Sequence, residues 1–301
     1  MLTGVAGFIG RTMASQMLRH GNTIAGIDTC SPENSGLQGV GEYRQLPLPS
    51  QNFGEFLAEF QPNFLVHCAG RSSVPLSMTD PSGDFEQGPQ VTLSILDQVM
   101  RNSPKTKLLF CSSAAVYGEP TELPISEATP IRPISPYGFH KRISEMLCEQ
   151  YFTCFGVQSA TMRIFSAYGP GLRRQVVYEI CQQSLNHYIS LQGTGEETRD
   201  FIHVQDIARA ALKIIERADF ECEVFNVASG RETSIRELAL LASKLVEPCP
   251  KIDFRSQRLP GMPQRWVADI SRLKSLGFEP TIEIGHGIKS VVDWCRLESP
   301  N

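Results

Sequence analysis

The sequence predicts an α/β fold, a doubly wound parallel sheet with a smaller, mostly C-terminal unit beside it, and three observations carry that prediction. Glycines 4, 7 and 10 stand between a short apolar run and a helical pattern. Residues 23–28, 64–70 and 107–113 are nearly continuous apolar runs, as expected of strands covered on both faces. A helical pattern over 90–100 separates the last two, giving the alternation of strand and helix that builds a parallel sheet. In such sheets a ligand lies beyond the carboxyl ends of the strands.

Taken in order, the chain opens with only about three strand residues before Gly4, where a buried parallel strand has about five or six. Either the chain starts late or this strand is short. The next pattern runs through Met13, Met17 and Leu18 to His20-Gly21, a helix with a glycine stop. Glycines at the head of that helix let the backbone approach a pyrophosphate at the positive helix N-terminus. The second strand, Thr23-Ile24-Ala25-Gly26-Ile27-Asp28, ends in an acid about 20 residues on, where a carboxylate bonds both hydroxyls of an adenosine ribose. A 2′-phosphate would be repelled there, and no Arg or Lys occurs between Arg19 and Arg44, so NAD is expected rather than NADP.

The strand 107–113 ends in Ser112-Ser113, which places Ser113 in the crevice. Reading 138–149 as a helix puts Tyr137 and Lys141 on one face, four residues apart. Tyrosine is a weak base at neutral pH, and a fixed cation favours its phenolate. Ser113 is expected to face the same crevice as Tyr137.

Composition bounds the function. A chain of 301 residues with 41% hydrophobic and 20% charged residues buries a sizeable core, as one large domain or two smaller ones. The formal charge of -4 argues against nucleic acid or an anionic membrane as the main partner. No apolar run reaches the ~18 residues of a membrane span and no leader pattern opens the chain, so a cytoplasmic protein is expected. The nine cysteines are scattered without Cys-x-x-Cys spacing and the six histidines are dispersed, so the cysteines read as reduced and no metal is expected.

Together these pieces resemble the extended short-chain dehydrogenase/reductase family, in its nucleotide-sugar epimerase and dehydratase branch. The matching stretches are Thr3-Gly4-x-x-Gly7-Phe8-Ile9-Gly10, Asp28, Ser112-Ser113-Ala114-Ala115-Val116-Tyr117-Gly118, Ser135-Pro136-Tyr137-Gly138-x-x-Lys141, Arg163-Ile164-Phe165-Ser166-Ala167-Tyr168-Gly169-Pro170-Gly171 and Arg199-Asp200-Phe201-Ile202-His203. Phe225-Asn226-Val227-Ala228-Ser229-Gly230 and Val267-Ala268-Asp269 follow in family order. The resemblance implies a Rossmann-like NAD-binding domain over 1–165 and 199–227, the latter stretch returning to the sheet, and a nucleotide-sugar domain over 166–198 and 228–301. It implies Ser113, Tyr137 and Lys141 as catalytic residues, and Gly4, Gly7, Phe8, Ile9, Gly10, Asp28, Ala69, Tyr137, Lys141 and Phe165 as cofactor ligands. Ser166, Arg174, Arg199 and Arg258 are implied on the substrate, Arg199 foremost; Arg173 beside Arg174 is a further diphosphate candidate, and Trp266 reads as packing.

The implied reaction is reversible hydride transfer, in which Tyr137 takes a proton from a sugar hydroxyl while its carbon gives hydride to NAD; Lys141 holds the nicotinamide ribose and Ser113 orients the reacting oxygen. Relatives that dehydrate carry acids where this chain has Ala114 and Ala115, and relatives that epimerise at C3 and C5 carry a Cys in place of Ala114, so a nucleotide-diphosphate-sugar 4-epimerase leads. A reductase of 4-keto-6-deoxy sugar nucleotides and a silent dinucleotide-binding regulator are the alternatives. A homodimer through helices near 90–100 and 141–155 is implied too, with Ile143, Met146, Leu147 and Tyr151 able to serve either that contact or the core. Four departures stand out. Ser166 replaces the usual Asn. Gly88-Pro89 replaces another, so that helix is expected to start later. Gln45-Leu46-Pro47-Leu48 lacks the adenine-side acid, and Arg71 stands beside the nicotinamide pocket.

Overall fold

The computed structural model describes residues 1–255 and 264–298. In chain order the strands are β1 Leu2–Thr3, β2 Ala25–Asp28, β3 Glu42–Gln45, β4 Phe64–His67, β5 Lys107–Ser113, β6 Ser159–Ile164, β7 Ser166–Tyr168, β8 Tyr188–Leu191, β9 Thr198–His203, β10 Glu221–Val227, β11 Glu232–Ser234 and β12 Lys251–Phe254. Seven form one parallel sheet in the order β10-β6-β5-β4-β1-β2-β3. The chain winds outward from β1 in both directions, so the order reverses between β1 and β4, where a crevice opens beyond the strand ends. β1 is short, yet Thr3 pairs with both Ile27 and His67, which fixes Gly4 at that reversal.

Both faces of the sheet are covered, which is why its strands read as unbroken apolar runs. Helices Phe8–Arg19 and Val204–Arg217 lie on one face, where Met13, Ala14, Ile207, Ala208 and Ala211 meet Leu2, Val66, Leu109 and Met162. Helices Gln51–Phe60, Val91–Asn102 and Pro136–Phe155 cover the other, burying Phe53, Phe56, Ile95, Leu96 and Tyr151 against Ile27, Leu65 and Leu108. A fully buried side chain of this size contributes about 1.5–3 kcal/mol.

Two sequence expectations are corrected here. The helix before β5 does not start after Pro89: helix Pro81–Phe85 runs through a π-turn, Glu86–Gln90, into Val91–Asn102. The wider turn accommodates a residue that has no N–H to give and whose ring crowds the preceding turn. Residues 199–227 also do not all return to the large sheet. Only β10 does so, while β9 lies between β7 and β11 in a three-stranded sheet, because β7 turns away directly after β6 and takes β9 as its parallel partner.

The remaining elements have a core of their own, in which helices Gln175–Leu185, Ile235–Ser243 and Ile284–Glu298 bury Val177, Ile180, Leu238, Ile288 and Val292. A further cluster, Ala114, Val116, Tyr117, Ile125, Phe165, Ala228 and Ala268, joins the strand ends to this region. Among the described residues no helix is long and apolar enough to cross a membrane.

Candidate active site

The glycine turn is built for close approach. Gly4 adopts φ +68°, and a Cβ on it would lie 2.7 Å from the amide nitrogen of Ala69; a Cβ on Gly10 would lie 2.1 Å from the carbonyl oxygen of Gly4. Neither position accepts a side chain. Gly7 caps the helix Phe8–Arg19 and no side chain hydrogen-bonds its first-turn amides, which have no partner within the helix. Asp28 ends β2 beside them: its Oδ2 accepts from the Ala6 amide at 2.9 Å and its Oδ1 from the Cys30 amide at 3.1 Å. Each carboxylate oxygen keeps a lone pair for a hydroxyl. A bare helix N-terminus, a cradle no Cβ can enter and a carboxylate at the next strand end fit a dinucleotide.

On the other side of the crevice, helix Pro136–Phe155 begins with Ser135 as its cap, the Ser135 hydroxyl accepting from the Gly138 amide at 3.2 Å. Proline at the first position and serine before it are the local signals that start the helix here, two residues earlier than expected. Gly138 is tight against the turn that follows Ser113, since a Cβ on it would sit 2.6 Å from the Ala115 carbonyl oxygen. That contact brings the Tyr137 end of the helix to the Ser113 end of β5. Ser113 Oγ accepts from the Ala115 amide at 3.2 Å and keeps its own proton to donate. Lys141 donates from Nζ to the Cys111 carbonyl oxygen at 2.8 Å, with Nζ 5.9 Å from the centre of the Tyr137 ring and 5.0 Å from that of Phe110.

Beneath this surface lies a buried polar network that sequence reasoning did not find. Glu145, one turn beyond Lys141, accepts from Ser112 Oγ at 2.6 Å and from Arg163 Nε and Nη2 at 3.0 and 2.8 Å. Arg163 also donates to the Tyr117 hydroxyl at 2.9 Å, which donates in turn to Asn226 Oδ1 at 2.7 Å. Burial pushes the Tyr117 phenol up to about 12, so it stays neutral. The network ties the helix carrying Tyr137 to three strands, and removing one partner of its buried ion pair leaves an uncompensated charge, a loss of about 3–5 kcal/mol. The only signal in the sequence is Glu145 in phase with Lys141 on the helix. His67 lies on the same side of the sheet, bonded through Nδ1 to Thr3 Oγ1 at 2.8 Å; burial, helped by the charge of Lys141, lowers it to about 3.

The substrate candidates divide. Arg199 lies half-buried with its guanidinium 5.8 Å from the Trp266 ring centre, donating to the carbonyl oxygens of Thr198 and Gln264 at 2.7 and 3.4 Å. Burial lowers it to about 10. Arg174 reaches from the cap of helix Gln175–Leu185 to Ser72 Oγ at 2.6 Å, on the loop after β4. Arg173, its neighbour, turns away to pair with Glu298 and does not join the site. Ser166 begins β7 opposite Phe201, and Phe165 is buried between Tyr117 and Trp266. Trp266 therefore packs, and also donates to the Gly118 carbonyl oxygen at 3.0 Å. Arg71 is held by Asp80 at the head of helix Pro81–Phe85. Arg258 lies outside the described residues.

A parallel sheet with its order reversed at a bare glycine turn, and with Ser113, Tyr137 and Lys141 gathered at the neighbouring strand ends, defines a dinucleotide-dependent enzyme of the Rossmann type. Residues 1–228 match the model of the NAD dependent epimerase/dehydratase family, and the chain belongs to that family, within the extended short-chain dehydrogenase/reductases. A Methanocaldococcus jannaschii protein provisionally named a UDP-glucose 4-epimerase is 30% identical over 308 residues, 98% of each chain. The crystal structure of UDP-glucose 4-epimerase from Thermotoga maritima with UDP-glucose superimposes with a TM-score of 0.89 at 27% identity, covering 99% of this chain and 98% of the other. That of the Thermus thermophilus UDP-glucose 4-epimerase with NAD gives 0.88 at 26% identity, covering 98% of each.

Proposed function

We propose that this chain is an NAD-dependent nucleotide-diphosphate-sugar 4-epimerase, working by transient hydride transfer through a 4-keto sugar. The observation that carries the reading is the placement of Lys141: its ammonium is fixed to the strand that ends in Ser113 while lying beside the Tyr137 ring. NAD, when bound, supplies the site that takes up and returns the hydride. Gly4, Gly7, Phe8, Ile9, Gly10, Ala69 and Phe165 are proposed to hold it together with Asp28 on the ribose. Tyr137, as phenolate, takes the proton of the sugar 4-hydroxyl and gives it back to the 4-oxygen, Lys141 stabilises the negative oxygen, and Ser113 donates to the reacting oxygen. Ala114 and Ala115 are buried and bring no acid or base, which speaks against dehydration. Arg199 and Arg174 are proposed on the diphosphate with Ser166, and the nucleotide sugar lies against 166–198 and 228–301, with 1–165 and 199–227 as the NAD domain.

A homodimer is part of the proposal. Helix Pro136–Phe155 presents Phe139 and Met146, 53% and 52% exposed, and the helices packed against it expose Phe85 and Leu93, while Tyr151 and Leu147 turn into the core. A second copy would cover that face. The test is a panel of uridine, guanosine, thymidine and cytidine diphosphate sugars offered to the NAD-loaded protein. Interconversion of a 4-epimer pair without consumption of cofactor supports the reading; stoichiometric consumption of reduced cofactor replaces it with a keto-sugar reductase.

A further inference from the structure

Cys68 directly follows β4 and Cys111 lies on β5 two residues before its end, both one step beyond the register that sets His67 against Phe110. Their sulfur atoms are 3.4 Å apart and both thiols are free. Met13, on the helix that opens at the glycine turn, places its sulfur 3.8 Å from that of Cys68. The proposed reaction uses neither thiol, yet both stand among its parts. Cys68 precedes Ala69, whose backbone crowds Gly4, and the carbonyl of Cys111 holds Lys141.

We propose that Cys68 and Cys111 are a modification site, a dithiol that a small-molecule disulfide oxidises to a Cys68–Cys111 bond, loosening the hold on NAD. Neighbouring strands lie about 4.7–4.9 Å apart, within the Cα separation of about 4.4–6.8 Å that a disulfide bridges, so directly opposed residues meet the requirement with small movement. The step balances. The Cys68 thiolate attacks one sulfur of the reagent, releasing one thiol and leaving a mixed disulfide. The Cys111 sulfur, on losing its proton, attacks the Cys68 sulfur and expels the second thiol. The protein loses two hydrogen atoms and the reagent gains two. As residues, Cys68 is half-buried and Cys111 is 7% exposed, but the Cys68 sulfur itself is covered by Met13 and Cys111, so a reagent reaches Cys68 first and only when that packing opens locally. The hydrogen bond between the thiols, with burial, holds the Cys68 thiol well above its ordinary range, so the exchange is slow. A covalent bond pulls the two sulfurs far closer than 3.4 Å and moves the peptide that carries the Lys141 contact.

The effect on turnover rests on the epimerase reading; the cross-link and NAD retention do not. The full chain, stripped of NAD and loaded with it, is incubated with oxidised glutathione, blocked with a maleimide, digested and mapped by mass spectrometry, with NAD retention and activity followed in parallel. The expected result is a peptide pair joined through Cys68 and Cys111, short by two hydrogens, appearing with the same time course as loss of NAD retention, slower in the loaded protein and reversed by dithiothreitol. Cys68→Ala keeps its NAD through the same treatment. Recovery of Cys68 and Cys111 as unlinked thiols, a glutathione adduct on Cys68 that never resolves, or a link with unchanged NAD retention would each overturn the proposal. The mapping on the native chain decides the matter even if the variant does not fold. A link that forms in a protein without epimerase activity counts against the reaction assigned above, not against the dithiol.

Discussion

The ammonium of Lys141 is bonded to the carbonyl oxygen of Cys111, 2.8 Å away, on the strand that ends two residues later in Ser113. Helix and strand are thereby locked where Tyr137, one helical turn before Lys141, meets the Ser113 turn. The position of a cation here is a property of the sheet as much as of the side chain.

Tyr137→Phe tests the phenol alone. Its hydroxyl makes no hydrogen bond to another described residue, so stability stays at the wild-type level while kcat falls by about 10²–10⁴-fold, the range of a lost general acid–base. Steady-state kinetics beside a thermal melt separate the two effects.

Gly138→Ala places a methyl 2.6 Å from the Ala115 carbonyl oxygen, whereas a Cβ at Gly88 meets nothing within 4 Å. The first substitution is expected to lose about 1–3 kcal/mol and to lower kcat by displacing Tyr137 from Ser113. Gly88→Ala leaves both unchanged. Urea unfolding of the two variants measures the difference.

His67 gives a pH dependence whose sign follows from its burial. It is held at about 3 in the folded chain, while the unfolded chain takes up a proton near the ordinary histidine value of 6.5. Its contribution to stability is complete above that value and is lost as pH falls toward 3, at up to about 1.4 kcal/mol per pH unit. His67→Gln, which keeps a partner for Thr3, flattens that slope in unfolding curves recorded from about pH 7 to 4.

Arg199→Ala removes a half-buried cation proposed to meet a diphosphate. KM for the nucleotide sugar is expected to rise by about 10–100-fold with a smaller change in kcat, the signature of lost ground-state binding to a charged group. Initial-rate kinetics distinguish this from a lost transition-state contact.

Met146→Glu puts a charge on the exposed face of helix Pro136–Phe155, outside the intrachain core. Sedimentation velocity is expected to show monomers for the variant and dimers for the parent chain, with the melting profile of the monomer otherwise cooperative.

What could be read from the chain was what neighbours in sequence decide. Gly4, Gly7, Gly10 and Asp28 belong to one strand–turn–helix–strand unit, and the buried strands declare themselves by their apolar runs. What could not be read depends on which distant segments meet. Arg173 and Arg174 are adjacent, yet one finds Glu298 and the other Ser72, a choice set by the start of a helix and the position of the C-terminal one. Glu145 meets Arg163 only through the packing of a helix on the sheet, and Cys68 meets Cys111 only through the register of two strands. Pro89 signalled a helix start and was absorbed by a π-turn, since packing of flanking turns overrode a local preference.

The most direct measurement takes the nucleotide-diphosphate sugar that the panel identifies as substrate, labels it with deuterium at C4 and follows it through the NAD-loaded protein with no cofactor added, read by NMR beside Tyr137→Phe. The expected result is the 4-epimer with its deuterium still at C4, formed by the parent chain and almost absent with the variant. Deuterium washed out into water, or equal conversion by the Tyr137→Phe protein, would contradict the assignment of Tyr137 and of a hydride that leaves and returns.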